Sequence, residues 1–173
     1  MNILNLENTE ALQHLREKVE KVGVAMMSTA KQHGHPKARP MHTLDFDDHG
    51  GLWFFSFVNS KKVEDLSDND LVNLIYAKPE DGIYVSITGH AQIVTDEQKI
   101  QDYWQDRFRA WIPNGPQSPG LYLIKINAVE GESWDIDTNK VIRFFKETKA
   151  RMQGEVYSGG EHLAYTSKEH EEV

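Results

Sequence analysis

Lys37 to Phe57 reads KARPMHTLDFDDHGGLWFFSF, and the pattern of this stretch decides the fold class. Within Lys37–Phe46 the period of two puts Arg39, Met41 and Thr43 on one face and Ala38, Pro40, His42 and Leu44 on the other. Asp47-Asp48-His49-Gly50-Gly51 is turn chemistry, and Leu52–Phe57 is a second β-rich run. Strands that follow one another across so short a turn pair antiparallel, since a parallel pair needs a long crossover.

The same grammar extends in both directions. Val22–Ser28, Leu71–Ala77, Ile83–Val94 and Leu121–Asn127 are further β-rich runs, with turn signals at His33-Gly34-His35-Pro36 and Pro79-Glu80-Asp81-Gly82. Six strands with few helices between them predict a mainly β (α+β) domain, an antiparallel barrel with peripheral helices. Thr9–Val22 is an amphipathic helix, with Leu12, Leu15 and Val19 at three- and four-residue spacing and Thr9 as a cap. Ser60–Asn69 and Asp96–Trp111 are read as helices, the second with Ile100, Tyr103, Trp104 and Phe108 on one face. Ile112–Gly120 is a loop, broken by three prolines and two glycines. Val129–Ile136 is expected as one more strand and Asn139–Gln153 as a final helix. Residues 1–153 are thus read as one domain. In 154–173 five glutamates stand against Lys168, so this stretch holds half of the net charge and reads as a flexible acidic tail, with Tyr157, Leu163 and Tyr165 available for local docking.

Composition narrows the classes of function. The chain of 173 residues has 27 acidic and 19 basic side chains, a net charge of −8, which argues against nucleic-acid or anionic-membrane binding. With no cysteine, thiolate catalysis, disulfides and cysteine-ligated metals are excluded, and a reducing cytoplasm fits. The first residues show no targeting pattern and no run is long enough to span a membrane, so a soluble cytoplasmic protein is expected. Asp45–Gly50 imitates the front of a calcium loop, but its twelfth position is Ser56 where a bidentate glutamate is required, and a hairpin turn explains it better. His33 and His35 lack a third ligand at metal-binding spacing. No phosphate-binding glycine loop or nucleophile elbow occurs.

Two features point to an anion. Arg39 falls among core-like strand positions and needs a partner, which is a carboxylate, solvent at a sheet edge, or an anionic ligand. Ser60-Lys61-Lys62 opens a helix, where free amides, the helix dipole and two ammonium groups suit a phosphate, although Ser60 is equally an ordinary N-cap and paired lysines are commonly solvated. In Tyr84–Ala91 the interior Gly89 marks a bulge or a close approach to the backbone.

Taken together, Arg39-Pro40-Met41, Trp53-Phe54-Phe55-Ser56, Ser60-Lys61-Lys62, Val85–Ala91 and Glu132-Ser133-Trp134-Asp135 resemble the pyridoxamine 5′-phosphate oxidase-like split-barrel flavoproteins, specifically their general stress protein branch. The resemblance covers Leu12 to Asp135. It implies a six-stranded split barrel and a homodimer with FMN in each of two interface clefts. Arg39, Lys61 and Lys62 would then hold the phosphate with help from Ser60. Phe55, Ser56 and the backbone of Pro40, Met41, His42, Thr43 and Leu44 would line the ribityl chain and ring, and Trp134 would reach the flavin from the partner subunit.

Two departures bear on activity. Tyr84 stands where the oxidase has a flavin-contacting glutamine, and the sequence after Trp134 lacks the oxidase's arginine-x-histidine motif. The resulting expectation is a cytoplasmic, dimeric FMN protein acting as a flavin-dependent oxidoreductase on an unidentified small molecule, with no catalytic acid or base assigned and with pyridoxamine phosphate not expected as its substrate. The alternatives are a non-catalytic flavin-binding or buffering stress protein, and a split barrel holding deazaflavin or haem, with His42 and His90 as haem candidates.

Overall fold

The structure, a computed structural model, describes residues 2–4, 8–30, 35–58, 66–135 and 161–166. Helix α1 (Asn8–Val22) comes first after a short strand, β1 (Asn2–Leu4). It stops at Gly23, whose positive φ of 75° lets its amide fold back onto the Val19 carbonyl at 2.7 Å. Val22, which the sequence reading placed both at the helix end and at the strand start, closes the helix, and β2 runs over Val24–Thr29. There follow β3 (Lys37–His42), β4 (Asp45–Phe46), β5 (Gly51–Phe57), β6 (Leu71–Lys78), β7 (Ile83–Val94), α2 (Glu97–Tyr103), β8 (Leu121–Asp135) and β9 (Glu161–Thr166). The strands form one curled antiparallel sheet in the order β1-β9-β8-β7-β6-β2-β3, with β5 on the second edge of β8 and β4 on β5; among the described residues only β1 with β9 is parallel. This is a split β-barrel, mainly β, as the run of hairpins predicted.

Three departures from the sequence reading share one cause, which is a change of neighbour. Lys37–Phe46 is broken at Thr43-Leu44, because the Thr43 amide still bonds Gly23 beside β2 while the Leu44 amide bonds Trp53 on β5. Conversely, Leu121–Asn127 and Val129–Ile136 fuse into the single strand β8. It pairs with β5 up to Asn127 and with β9 from Glu130, and β7 lies alongside throughout. Thr88 pairs with Glu130 and Gly89 with Ala128, so Val129 is the extra residue of a bulge. The third is in the stretch read as a flexible tail. Glu161–Thr166 is an ordered strand there, held by ladders to β8 and β1, with Leu163 in the core and Tyr165 packed against it.

The interior unites Leu15 and Val19 of α1 with Ala25, Met27, Met41, Leu52, Phe54, Leu74, Tyr76, Val85, Ile87, Tyr122, Ile124 and Ile126. An ion pair between Lys18 and Asp135 ties the helix to the end of β8. A second cluster lies on the other side of β5 and β8, where Trp53, Leu121 and Leu123 meet Ile100 and Ile112. The expected helix Asp96–Trp111 is broken to cover it. α2 starts on the Asp96 cap, the chain extends at Trp104-Gln105, and a 3-10 turn follows at Asp106–Ala110 with Phe108 buried. The acidic loop that imitated calcium chemistry is a turn: Asp47 accepts from the His49 and Gly51 amides at 3.0 and 2.8 Å and from the Trp53 indole at 2.8 Å. Of the expected helix Ser60–Asn69, residues 66–68 are helical and 59–65 lie outside the described residues, as does the expected helix Asn139–Gln153.

Gly89 is required by close approach. A Cβ there would lie 2.4 Å from the Asn127 carbonyl oxygen, whereas one at Gly131 would meet the rotatable Cδ1 of Leu15 at 2.6 Å. Gly89→Ala should therefore destabilise the fold by roughly 1–3 kcal/mol, and Gly131→Ala by less, as read from urea denaturation midpoints. Equal losses would show that the bulge does not need the glycine.

Candidate functional site

β3 is the end strand of the sheet, and its register shows which of its backbone groups are free for a ligand. Val24 faces His42 and Met26 faces Pro40. Because the Thr43 amide bonds the Gly23 carbonyl at 2.9 Å, alternation directs the odd-numbered backbone groups of β3 toward β2 and the even-numbered ones toward the open edge. Pro40 sits at an even position, where its missing N–H costs no ladder bond, which is why a proline is accepted in this strand. Beyond that edge lies β5, approached by β3 without a ladder among the described residues. The split of the barrel is thus lined by carbonyls and amides of β3 that β2 does not use.

Side chains of β3 divide as the alternation predicts. Met41 enters the core and Arg39 is half-buried on the same face, its Nη2 donating to Thr29 Oγ1 at 2.9 Å. Thr43 shares a hydrogen bond of 2.9 Å with the Tyr76 hydroxyl inside the barrel. Pro40 and His42 are exposed on the outer face. On β5 the neighbours Phe55 and Ser56 point to opposite sides. Ser56 is buried on the inner face, whereas Phe55 packs outward against Phe108 and Trp104, with ring centroids 5.4 and 6.0 Å away. Ser60, Lys61 and Lys62 lie outside the described residues.

His42 has neighbours that the sequence reading passed over. Its ring meets Phe108 edge-on at 5.6 Å, and its Nε2 lies 3.4 Å from Arg107. Burial, and then the positive charge of Arg107, lower its pKa, so the neutral imidazole is favoured. His42, Thr43, Leu44 and Asp45 form, with Glu20 and Arg107, a cleft of about 230 Å³ beside the split. Arg107 fell in a segment read only for its apolar face, and nothing in local spacing links it to a strand some sixty residues earlier. The second haem candidate, His90, has its Nδ1 within hydrogen-bonding distance, 3.0 Å, of an Asp70 carboxylate oxygen. Among the described residues no group of three or more His, Cys, Asp or Glu side chains is placed to hold a metal.

Tyr84 and Trp134 form a second group, away from the first. They face each other across β7 and β8, and the Trp134 indole stacks on His162 of β9 at 5.2 Å and 8° between planes. Two strands, β6 and β2, separate β7 from β3, a lateral distance of about 14 Å at ordinary strand spacing. The described candidate residues of one chain therefore fall into two sets that do not meet. His162 was missed because it lay in the stretch read as a tail.

What the described residues of the β3 edge offer chemically is a set of hydrogen-bonding groups suited to an anion. They are the half-buried guanidinium of Arg39 and the backbone groups of β3 that β2 does not use. The comparisons with known proteins agree with the architecture. Protein bli-3 of Neurospora crassa is 26% identical over 99 residues, 53% of this chain and 47% of that protein, and the chain spans about half the length of the curated relatives it matches. A putative general stress protein 26 from Jannaschia sp. CCS1 superposes with a TM-score of 0.71 at 21% identity, over 91% of this chain and 99% of that one. The general stress FMN/FAD binding protein of Xanthomonas citri does so with a TM-score of 0.62 at 23% identity, over 72% and 88%. The sequence pattern of the family described as pyridoxamine 5′-phosphate oxidase like matches residues 10–158, and the chain, with its split barrel and open β3 edge, belongs to that family.

Proposed function

We propose that the protein binds FMN as a homodimer and acts as a flavin-dependent oxidoreductase on an unidentified small molecule. The observation that carries this reading is the separation of the two candidate sets on one sheet. A ligand touching both the β3 edge and the Trp134 side needs two chains. The outer face between the sets supplies a surface for that pairing. Val24, Met26 and Ile75 are 45%, 42% and 48% exposed there. Ser86, Ile75, Met26 and Pro40 stand in one cross-strand row, an apolar patch of the kind that marks association. The flavin itself is supported by the family, by the Xanthomonas citri neighbour, a general stress FMN/FAD binding protein, and by the anion-suited groups of the β3 edge.

In this reading Arg39 and Lys62, with Lys61 and Ser60, hold the phosphate. Ser56 and the outward backbone of Pro40 to Leu44 hold the ribityl chain and ring edge, and Trp134 and Tyr84 close the cleft from the partner subunit. Bound FMN would supply hydride or electron transfer. The chain's own part is to bind, orient and shield it. The cleft at His42 and Arg107 is where, in this reading, a small substrate would enter.

The phosphate assignment is tested with paired ligands. Arg39→Ala and Lys62→Ala should each weaken FMN binding by about 10- to 100-fold, one charge-assisted contact, while riboflavin binding changes little; equal losses for both ligands would show the assignment is wrong. Assembly is tested by sedimentation at low concentration, where FMN-loaded protein should be more dimeric than apoprotein, because a ligand held by both chains stabilises the dimer by linkage. A loaded monomer would refute the two-chain site.

Pyridoxamine 5′-phosphate should not be oxidised at a useful rate by the FMN-loaded protein. A second phosphate needs a cationic site beside the flavin, and after Trp134 the sequence offers Asp135 and Asp137 instead of the arginine-x-histidine pair. Asp135 is in addition the partner of Lys18. Formation of pyridoxal phosphate under oxygen, followed beside flavin reduction by NADH and NADPH, checks this. Robust pyridoxal phosphate production would overturn it, and flavin reduction alone would support the oxidoreductase reading.

A further inference from the structure

In the proposed two-chain site Trp134 serves a ligand held mainly by the other subunit, so its side chain must keep one orientation before that ligand arrives. A strand does not supply this by itself, because two χ1 rotamers are common for side chains on a sheet. The supply comes from β9. His162 is the direct cross-strand neighbour of Trp134, and their ring centroids are 5.2 Å apart with 8° between the planes, a parallel stack that favours one rotamer. The indole is on the face where the pairing surface lies. Tyr84, which faces Trp134, is two residues from Ser86, and Ser86 stands in the row of Ile75 and Met26.

His162 is itself fixed in place. Its strand is laddered on both edges, to Trp134 on β8 and to Ile3 on β1, and the next residue, Leu163, is sealed in the core. The imidazole does not act there by hydrogen bonding. Its buried Nε2 has no hydrogen-bond partner among the described residues, and the Glu132 carboxylate stands 3.9 Å away. What remains is a flat ring on a rigid backing, the kind of support that holds a binding side chain in its working geometry. We propose that His162 is a positioning residue of the flavin cleft, its imidazole backing the Trp134 indole and holding it ready for the flavin bound across the subunit boundary. This role rests on the FMN reading above and makes β9 part of the site.

The test compares His162→Phe with His162→Leu in the full-length protein, each alone and combined with Trp134→Ala. Both replacements keep apolar bulk on β9, but only the first keeps a flat ring. FMN dissociation constants are measured together with the visible circular dichroism of bound FMN at saturation. His162→Leu should weaken FMN binding about three- to tenfold and change the flavin's circular dichroism, whereas His162→Phe should leave both at wild-type values. In the Trp134→Ala background neither replacement should have a further effect, because a residue that acts through Trp134 is silent without it. Equal behaviour of the two replacements, or a loss that persists without Trp134, would overturn the proposal and leave His162 a structural residue of β9. A His162→Leu protein that fails to fold where His162→Phe folds would overturn it as well. Should Trp134→Ala alone leave FMN binding unchanged, the assignment of Trp134 fails and His162 has nothing to position. Wild-type protein that binds no FMN would instead defeat the FMN reading itself, and this proposal with it.

Discussion

The β7–β8 ladder is the constraint on which everything else hangs. β8 keeps one neighbour, β7, from Leu123 to Asp135, but exchanges the other at Ala128, from β5 to β9. The bulge at Thr88/Gly89 is what permits the exchange, because an extra residue bends the strand and raises its twist. Without the bend, β5 would continue beside β9 in a flat sheet. With it, β5 curls round toward β3, and the Ala128 amide bonds the Gly50 carbonyl at 3.0 Å as the strand turns away. Gly89 is the residue that lets the two backbones come this close.

Once β5 curls toward β3, the barrel is almost closed and not laddered shut. β3 has a neighbour on one edge and a ligand-accessible edge on the other. A proline at an edge position and a half-buried arginine are both costly in a central strand and both accommodated here. The same opening is where the candidate site lies. In energetic terms, an unladdered edge left dry would be penalised, so its backbone groups need a partner, solvent or ligand.

A second, outer cluster steadies β5 from behind. Trp53 is buried between strand and helix, with Lys99 and Lys125 over its ring at 4.3 and 5.4 Å and its indole N–H held by Asp47. Burial disfavours the charge of Asp47 most strongly, but the bonds from Trp53, Gly51 and His49 and the field of Lys125 outweigh it. The carboxyl accordingly titrates below its ordinary range. Its contribution to stability is therefore present above the ordinary carboxylate pKa and is lost as pH falls through the lowered value. Tyr103, bonded to Asp45 at 3.1 Å, is pushed the other way, burial and the neighbouring carboxylate both holding it protonated. These groups hold the hairpin and α2 together, which fixes Phe55 outward and Ser56 inward.

How much of this was legible in the sequence follows from what a period of two can report. It tells which side chains share a face, so the division of Arg39 and Met41 from Pro40 and His42, the β-rich class, the turn at Asp47–Gly51 and the special role of Gly89 were all readable from residues alone. It does not tell which strand lies alongside. The break at Thr43-Leu44, the continuity of β8 through Val129 and the docking of Glu161–Thr166 are choices of neighbour made between residues far apart in the chain. So is the meeting of His42 with Arg107 and of Trp134 with His162. Backbone hydrogen bonds and side-chain burial that stabilise those choices exist only after the sheet has curled. Local sequence therefore determined the faces and the class, and tertiary structure alone decided the edges, where the candidate site is.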